Sequence, residues 1–460
     1  MKKLFFALLF CSLGAAAQRP LTLDTCRAMA LDNNREGAIA REKSRQLGFL
    51  RASARANFFP SLSASAFYAR TGLRAREEIR GDFISRFVQN GWQDLNPGTP
   101  LPPGVEGVLQ RLDGYLPAIP LDLRVRDTYA GGLLLRQPLY MGGKVRAGYN
   151  MAKIGQEMAG CNERLTRADV IVRSDEAFWL CVKAREMVAL ALAYRESVRE
   201  FLERVENARE LGLRGRNDLL KVQVQLNDAE LSLLRARNGR RLADMNLCRV
   251  TGLPVDSEIE VEGRFPDDSP VPLLPAPPAE ERPEYALLSK MIDLKEEEVK
   301  LTRADFLPNI GVQGTYGYLN GVELNGKRLF DKTSFAALLS VSVPVFHWNE
   351  GRNKIRAARS EREIASLQRD EAKDMLAMET TLARQAVEES RAEIALARRA
   401  LAQAEENLKV SGDQYELGLE TISDHLAARA LCLKARANLV EAQANLHLNE
   451  TRYLKATDKL

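Results

Sequence analysis

The feature that most constrains this chain is that it repeats itself. Arg55-Ala56-Asn57-Phe58-Phe59-Pro60-Ser61-Leu62 aligns without a gap on Arg303-Ala304-Asp305-Phe306-Leu307-Pro308-Asn309-Ile310. Leu135-Arg136-Gln137-Pro138-Leu139-Tyr140 matches Val341-Ser342-Val343-Pro344-Val345-Phe346, and each is followed by glycine and a basic residue, Gly143-Lys144 and Gly351-Arg352. Glu210-Leu211-Gly212-Leu213 matches Glu416-Leu417-Gly418-Leu419, with Asp218 and Asp424, then Leu220 and Leu426, at equal distances beyond. Three matches in one order mark an internal duplication, and any fold must accommodate the same supersecondary unit twice.

Each half reads as helix, strand, loop, strand, long helix, sharp turn, helix. The expected division is a signal peptide over 1–17, a first repeat over 18–253, a linker over 254–281 and a second repeat over 282–460. The linker carries Pro266, Pro270, Pro272, Pro275, Pro277 and Pro278, a density that no helix tolerates. Ile310, Val312, Gly314, Tyr316 and Tyr318 form one apolar or aromatic face, with Gly311, Gln313, Thr315 and Gly317 opposite. Phe335, Ala337, Leu339, Val341 and Val343 alternate likewise with Ser334, Ala336, Leu338, Ser340 and Ser342. Period-two alternation over about ten residues fits a strand of a transmembrane barrel, and also a strand of a soluble sandwich. Ser61–Arg70 and Thr128–Gln137 are weaker copies. The loop Leu319–Thr333 is short, with turn signals at Asn320-Gly321 and Asn325-Gly326, whereas Thr71–Asp127 reads as a loop of about 57 residues rich in Pro and Gly.

From Gly143 to Leu211 no proline interrupts the helical pattern, and Glu350–Leu417 repeats the case. About 68 helical residues span roughly 100 Å, far beyond what a globular core needs. The return helices show how such rods pack. Leu219, Val222, Leu226, Ala229, Leu233, Ala236, Arg240, Ala243, Leu247 and Val250 are spaced 3-4-3-4, as are His425, Ala428, Cys432, Ala435, Leu439, Ala442, Leu446, Asn449, Tyr453 and Ala456. That spacing makes a coiled-coil seam, and its many alanines allow close approach.

Lys2 and Lys3, the apolar stretch Leu4–Leu13 and the small residues Ala15-Ala16-Ala17 read as an export signal, with Gln18 as the new N-terminus. Bulky Phe10 before Cys11 fits lipidation poorly. Cys26, Cys161, Cys181, Cys248 and Cys432 remain, an odd number without a CxxC pair, which reads as small buried hydrophobes. His347, His425 and His447 lack ligand spacing. A net charge of +4 leaves no excess to neutralise a polyanion, so no nucleic-acid partner is expected. No phosphate-binding loop, nucleophile elbow or other catalytic constellation occurs, so no enzyme, cofactor or metal is expected.

Four candidate spanning strands per chain cannot close a barrel, and an open edge in lipid leaves backbone groups unpaired at several kcal/mol each. The smallest closed barrels have eight strands. If these strands enter a membrane, the chain must therefore assemble with copies of itself; spacing alone permits a dimer, a trimer or a larger ring.

Leu307-Pro308 and Phe59-Pro60 before the strands, Pro138 and Pro344 before the long helices, Arg282-Pro283-Glu284, the Leu-Gly turns and Thr251-Gly252-Leu253-Pro254 together resemble the TolC-like outer-membrane efflux protein family, the outer membrane factors of tripartite pumps. The resemblance covers nearly the whole mature chain. It implies a mainly α fold with β: a long antiparallel coiled-coil helical barrel, and four strands per chain completing a trimeric twelve-stranded transmembrane β-barrel. It further implies an outer-membrane homotrimer reaching into the periplasm. This would be a passive exit duct for efflux or type I secretion, with a periplasmic adaptor (membrane fusion) protein, an inner-membrane transporter of RND or ABC type, and outer-membrane lipid as partners. The rival reading is a periplasmic coiled-coil adaptor or structural spacer.

In that family the far ends of the helix pairs form the periplasmic entrance, which places Leu211, Gly212, Leu213, Leu417, Gly418 and Leu419 at adaptor-docking tips. Asp424 matches a pore-facing acidic residue of the family, and Asp218 is its first-half counterpart. A helix cap or a solvated first-turn charge is the other reading of Asp424. The sequence also departs from the family's best-known member. Ala427 stands where a second acidic residue occurs, and Glu420 stands where a basic gating residue occurs.

Overall fold

The computed structural model describes residues 21–265, 272–273, 275, 277–329 and 332–460. The export signal with Cys11, and Pro266 and Pro270 of the linker, lie outside the described residues. Contacts divide the chain into two units. A strand unit comprises Ala52–Tyr149 and Glu298–Ala357; a helical unit comprises the segment ending at Arg51, Asn150–Glu297 and Ala358–Leu460.

The chain opens with α1 (Leu23–Asn33) and α2 (Arg35–Ala56), two helices where one was expected. The break has a local cause. Asn34 is extended (φ −66°, ψ 131°), and its side chain accepts the Glu36 amide at 2.8 Å and donates to the Val250 carbonyl at 3.1 Å. After the first strands come α5 (Lys144–Glu210) and its return helix α6 (Arg216–Thr251); the second half follows with α7 (Pro283–Ala304), then α8 (Glu350–Glu416) and α9 (Ile422–Ala456). The long helices α5 and α8 have 67 residues each, as proline-free sequence dictates. Pro283 begins α7 at the one position where its missing N–H is harmless, and Gly252 closes α6 at φ 79°.

The 3-4 seam buries as its spacing requires. Leu219, Val222, Ala229, Leu233, Ala243, Leu247 and Val250 of α6 are buried, as are His425, Ala428, Cys432, Ala435, Ala442, Tyr453 and Ala456 of α9. Arg240 breaks the stripe and stays exposed. Cys26, Cys181, Cys248 and Cys432 are buried free thiols, and burial pushes the Cys26 thiol up to about 12, so these are inert apolar fillers. Arg27 clamps Asp175 bidentately at 2.7 and 2.5 Å, and the Thr451 hydroxyl donates to the same carboxylate at 2.9 Å. That network ties α1, α5 and α9 around the largest core cluster.

The strand unit departs further from expectation. Six strands form one antiparallel sheet: β1 (Ser61–Ala69), β2 (Leu73–Ile79), β3 (Ile119–Met141), β4 (Asn309–Leu324), β5 (Lys327–Arg328) and β6 (Thr333–Ser342). Four were expected; β2 and β5 are short extensions that pair with the lengthened ends of β3 and β4. The region read as a loop from Thr71 to Asp127 is also largely regular, because α3 (Phe83–Leu95) and α4 (Pro103–Tyr115) occupy its middle. Asn325-Gly326 makes the two-residue turn between Leu324 and Lys327 with φ of 50° and 75°, as this pair should. Asn320-Gly321 makes no turn: Asn320 is buried inside β4 opposite Tyr129.

The register places the two faces unambiguously. Leu62 lies opposite Leu135, which opposes Gly314, which opposes Ala337; Ala64, Leu133, Tyr316 and Phe335 form the next row. Between these rows run Ser63, Leu134, Thr315 and Ala336, then Ser61, Arg136, Gln313 and Leu338. One face is therefore apolar and the other mostly small and polar. The apolar face is exposed, with Leu62, Phe335 and Leu339 at 65%, 83% and 63%. No helix among the described residues is long and apolar enough to cross a membrane.

Candidate functional site at the helix reversals

The two matched Leu-Gly sequences end the two long helices in the same way. Gly212 has φ 74° and Gly418 φ 73°, the left-handed conformation that glycine adopts without a Cβ penalty. The Gly212 N–H donates to Arg209 O at 2.9 Å and the Leu213 N–H to Ala208 O at 2.9 Å. Gly418 donates to Tyr415 O at 3.1 Å and Leu419 to Gln414 O at 2.9 Å. These paired bonds satisfy the last carbonyls of each helix in a Schellman cap. Leu211, Leu213, Leu417 and Leu419 stand 73–76% exposed, so the caps present four apolar side chains to solvent.

Asp218 and Asp424 both fall three residues into the return helices, where a carboxylate meets the positive end of the helix. Their settings differ. Thr421 caps α9: its hydroxyl accepts the Asp424 amide at 3.3 Å and donates to the Asp424 carboxylate at 2.6 Å. Gly215 caps α6 with no side-chain bond, and Asp218 is half-buried near Tyr415, whose phenol is raised first by burial and then by the Asp218 charge. Glu420 sits in the turn before α9, half-buried, with one carboxylate oxygen lacking a hydrogen-bond partner.

Sequence reading missed the group that lies behind these turns. Arg214 stacks on the Tyr415 ring at 4.4 Å and donates to its carbonyl at 3.2 Å, joining the first reversal to the second. Tyr415 stacks on His425 at 5.3 Å, and Phe201 of α5 lies 5.0 Å from the same imidazole. Arg429 Nε donates to His425 Nε2 at 2.9 Å, which leaves Nδ1 to donate to Ser411 Oγ at 3.1 Å and fixes the neutral tautomer. Arg429 also donates to Ser197 O and Oγ at 3.2 and 2.6 Å and lies over the Phe201 ring at 4.6 Å. Burial, then the neighbouring Arg429 charge, lowers the His425 pKa to about 4, with Glu420 opposing. Burial likewise depresses Arg429, which makes no ion pair among the described residues. The available signal was Arg429 one helical turn beyond His425, which lies on the seam of α9.

No cluster of metal-ligating side chains occurs among the described residues. The chemistry here is that of an apolar tip, fixed by glycine, over a buried polar staple joining α5, α8 and α9.

A family model described as outer membrane efflux protein matches residues 28–253 and 279–457. Among curated proteins, the chain is 28% identical over 238 residues to the alkaline protease secretion protein AprF of Pseudomonas aeruginosa. That match covers 49% of this chain and 47% of AprF, so it spans about half the length of the relative. Among solved structures, the fold is similar to the Campylobacter jejuni CmeC outer membrane channel (TM-score 0.75, 16% identity, 95% of this chain and 85% of that one). It is also similar to the Neisseria gonorrhoeae MtrE outer membrane channel in its open state (0.71, 19%, 95% and 88%) and to the Vibrio cholerae outer membrane protein VceC (0.71, 17%, 95% and 95%). The family match embraces both halves of the chain; the chain belongs to the outer membrane efflux protein family, and its place is the outer membrane.

Proposed function

We propose that this chain is one subunit of a passive exit duct that carries cargo from the periplasm across the outer membrane. The observation that carries the reading is the sheet: an exposed apolar face and two open edges, β1 with β2 on one side and β6 with β5 on the other. Neither feature is tolerable in a soluble monomer, and both are resolved when identical copies pair edge to edge in lipid. Each copy supplies four long strands, so three copies supply twelve, enough to enclose a water-filled lumen. The mostly polar face, with Ser63, Thr315 and Gln313, then lines that lumen.

In this reading the two repeats each contribute half of a subunit's wall, with residues 254–281 joining them. The exposed leucines of both reversals dock the helical hairpin of a periplasmic adaptor, and an inner-membrane transporter of RND or ABC type supplies the energy. Asp218 and Asp424 line the entrance, each repeated around the axis, and disfavour anions there. Glu420, with its oxygen lacking a partner, contributes acidity at the same level. The duct performs no reaction of its own. The similarity to a protease secretion protein supports polypeptide export as one cargo, and the family description supports efflux.

Cell fractionation with a heat-modifiability test separates this from the spacer reading. The duct appears in the outer-membrane detergent extract, and its migration changes on boiling. Recovery as soluble periplasmic protein alone overturns the proposal in favour of the spacer.

A further inference from the structure

Between β2 and β3 the strand unit carries a helical hairpin that closure of a barrel does not require. Its two helices form a fixed body. Leu109 of α4 is buried, the Ser85 hydroxyl bonds the Asp113 carboxylate, and the Trp92 indole donates to Thr99 O at 3.2 Å. At its base a Cβ on Gly81 would lie 2.1 Å from the Leu116 carbonyl oxygen, so only glycine permits the two chain segments to cross there. Yet the hairpin leaves a broad apolar surface open. Phe87, Leu95 and Tyr115 are 81%, 82% and 86% exposed, with Phe83, Val108 and Leu112 also exposed.

Its position says what covers that surface. The order β1-β3-β4-β6 alternates in direction, so β6 of one copy meets β1 of the next in antiparallel fashion. The hairpin springs from β2, on the β1 edge, where β2 pairs with the Ile119–Val125 end of β3. β5 lies at the same end of the sheet on the opposite edge, because its partners Glu323 and Leu324 pair with Arg124 and Leu123. The outer ends of β2 and β5 carry unpaired groups of opposite sign. Arg74, Arg76 and Arg124 share the Asp122 carboxylate within the chain, at 2.6, 3.5 and 2.7 Å, whereas Glu77 and Glu78 are exposed without ion pairs among the described residues. Lys327 and Arg328 of β5 are exposed and equally without ion pairs among the described residues.

We infer that the α3–α4 hairpin docks on the next copy of this chain, with Glu77 and Glu78 of one copy facing Lys327 and Arg328 of its neighbour. The edge that closes the barrel continues outward into this seam, and the apolar hairpin covers it. The inference rests on the duct reading, since it needs a ring of copies, and it names the contact that selects this chain as its own partner.

The test uses the full chain purified in detergent. In a Glu77→Cys, Lys327→Cys double variant, a flexible bismaleimide should link copies into a ladder ending at the closed ring. A charge swap gives an independent reading. Glu77→Lys with Glu78→Lys should lower the temperature at which the oligomer dissociates, and adding Lys327→Glu with Arg328→Glu should restore it. A multi-copy particle that shows neither the ladder nor the rescue overturns the inference and leaves the duct reading standing. A wild-type particle of one copy removes both. Quenching of a fluorophore on Phe87→Cys by a lipid-borne quencher in phosphatidylcholine vesicles shows that the hairpin lies in the membrane surface instead, and also overturns it.

Discussion

The two reversals are one backbone built twice with different chemistry around it. Gly212 and Gly418 differ by a degree in φ, and the same pair of hydrogen bonds closes each long helix. Beyond the cap the copies part. At matching positions, Gly215 answers to Thr421, Arg214 to Glu420, Leu219 to His425 and Val205 to Ser411. The first return helix starts on an uncapped glycine and packs by apolar contact. The second starts on a bonded threonine and is stapled through an imidazole and a buried guanidinium. Duplication thus preserved what the turn demands geometrically and released everything else, and only the second reversal acquired a histidine, whose protonation burial moves down to about pH 4.

The largest expected effect follows from that last difference. Unfolded His425 takes a proton near its ordinary 6.5, whereas folded His425 resists protonation until about 4. Between those values the unfolded state binds more protons, so stability is complete above pH 6.5 and declines as pH falls towards 4, by up to roughly 3 kcal/mol. Hydrogen exchange, corrected for intrinsic rates, should show the first turns of α9 losing protection over this window while those of α6 hold. Equal loss at both ends would contradict the assignment. His425→Leu, which copies the first reversal, should flatten the dependence.

Gly418→Val and Gly212→Val come next, each forcing a β-branched residue into the left-handed region at about 2 kcal/mol. Both should impair export while the barrel remains inserted, as judged by heat-modifiable migration. Unchanged export in both would remove the reversals from the functional account, and an effect at one alone would show that the halves are not equivalent entrances. Thr421→Ala should destabilise the start of α9 by about 1 kcal/mol in thermal unfolding, through loss of the cap. The smallest effect runs the other way: Gly215→Ser should stabilise α6 by a few tenths of a kcal/mol, since the position already has extended geometry at φ −84°, ψ 161°.

Much of this architecture is legible in the amino acids because its causes are local. Glycine at 212 and 418, Asn325-Gly326, Pro283 and the 3-4 seam each dictate geometry within a few residues of themselves. The failures share the opposite character. Leu121, Leu123 and Val125 alternate with Asp122, Arg124 and Arg126, and what hides the length of β3 is the irregularity after Val125, where Asp127 takes φ 47° and pairing with β4 carries the strand across. The helices α3 and α4 flank the Pro- and Gly-rich stretch Asn96–Gly104, whose composition suggests a loop although the flanking segments are amphipathic. The break at Asn34 depends on the Val250 carbonyl, 216 residues away. His425 looked like one member of a seam because its partners Ser411, Tyr415 and Phe201 come from other helices. Docking and pore roles belong to an assembly, and no single chain displays them.

The claim beneath all of this is that the sheet is unfinished until identical copies complete it. Native mass measurement of the detergent-solubilised particle tests it most directly. The account predicts one species with the mass of three chains, resistant to dilution and lost on boiling. A monomer of one chain, with the amides of β1 and β6 protected against exchange as fully as those of β3, would contradict it.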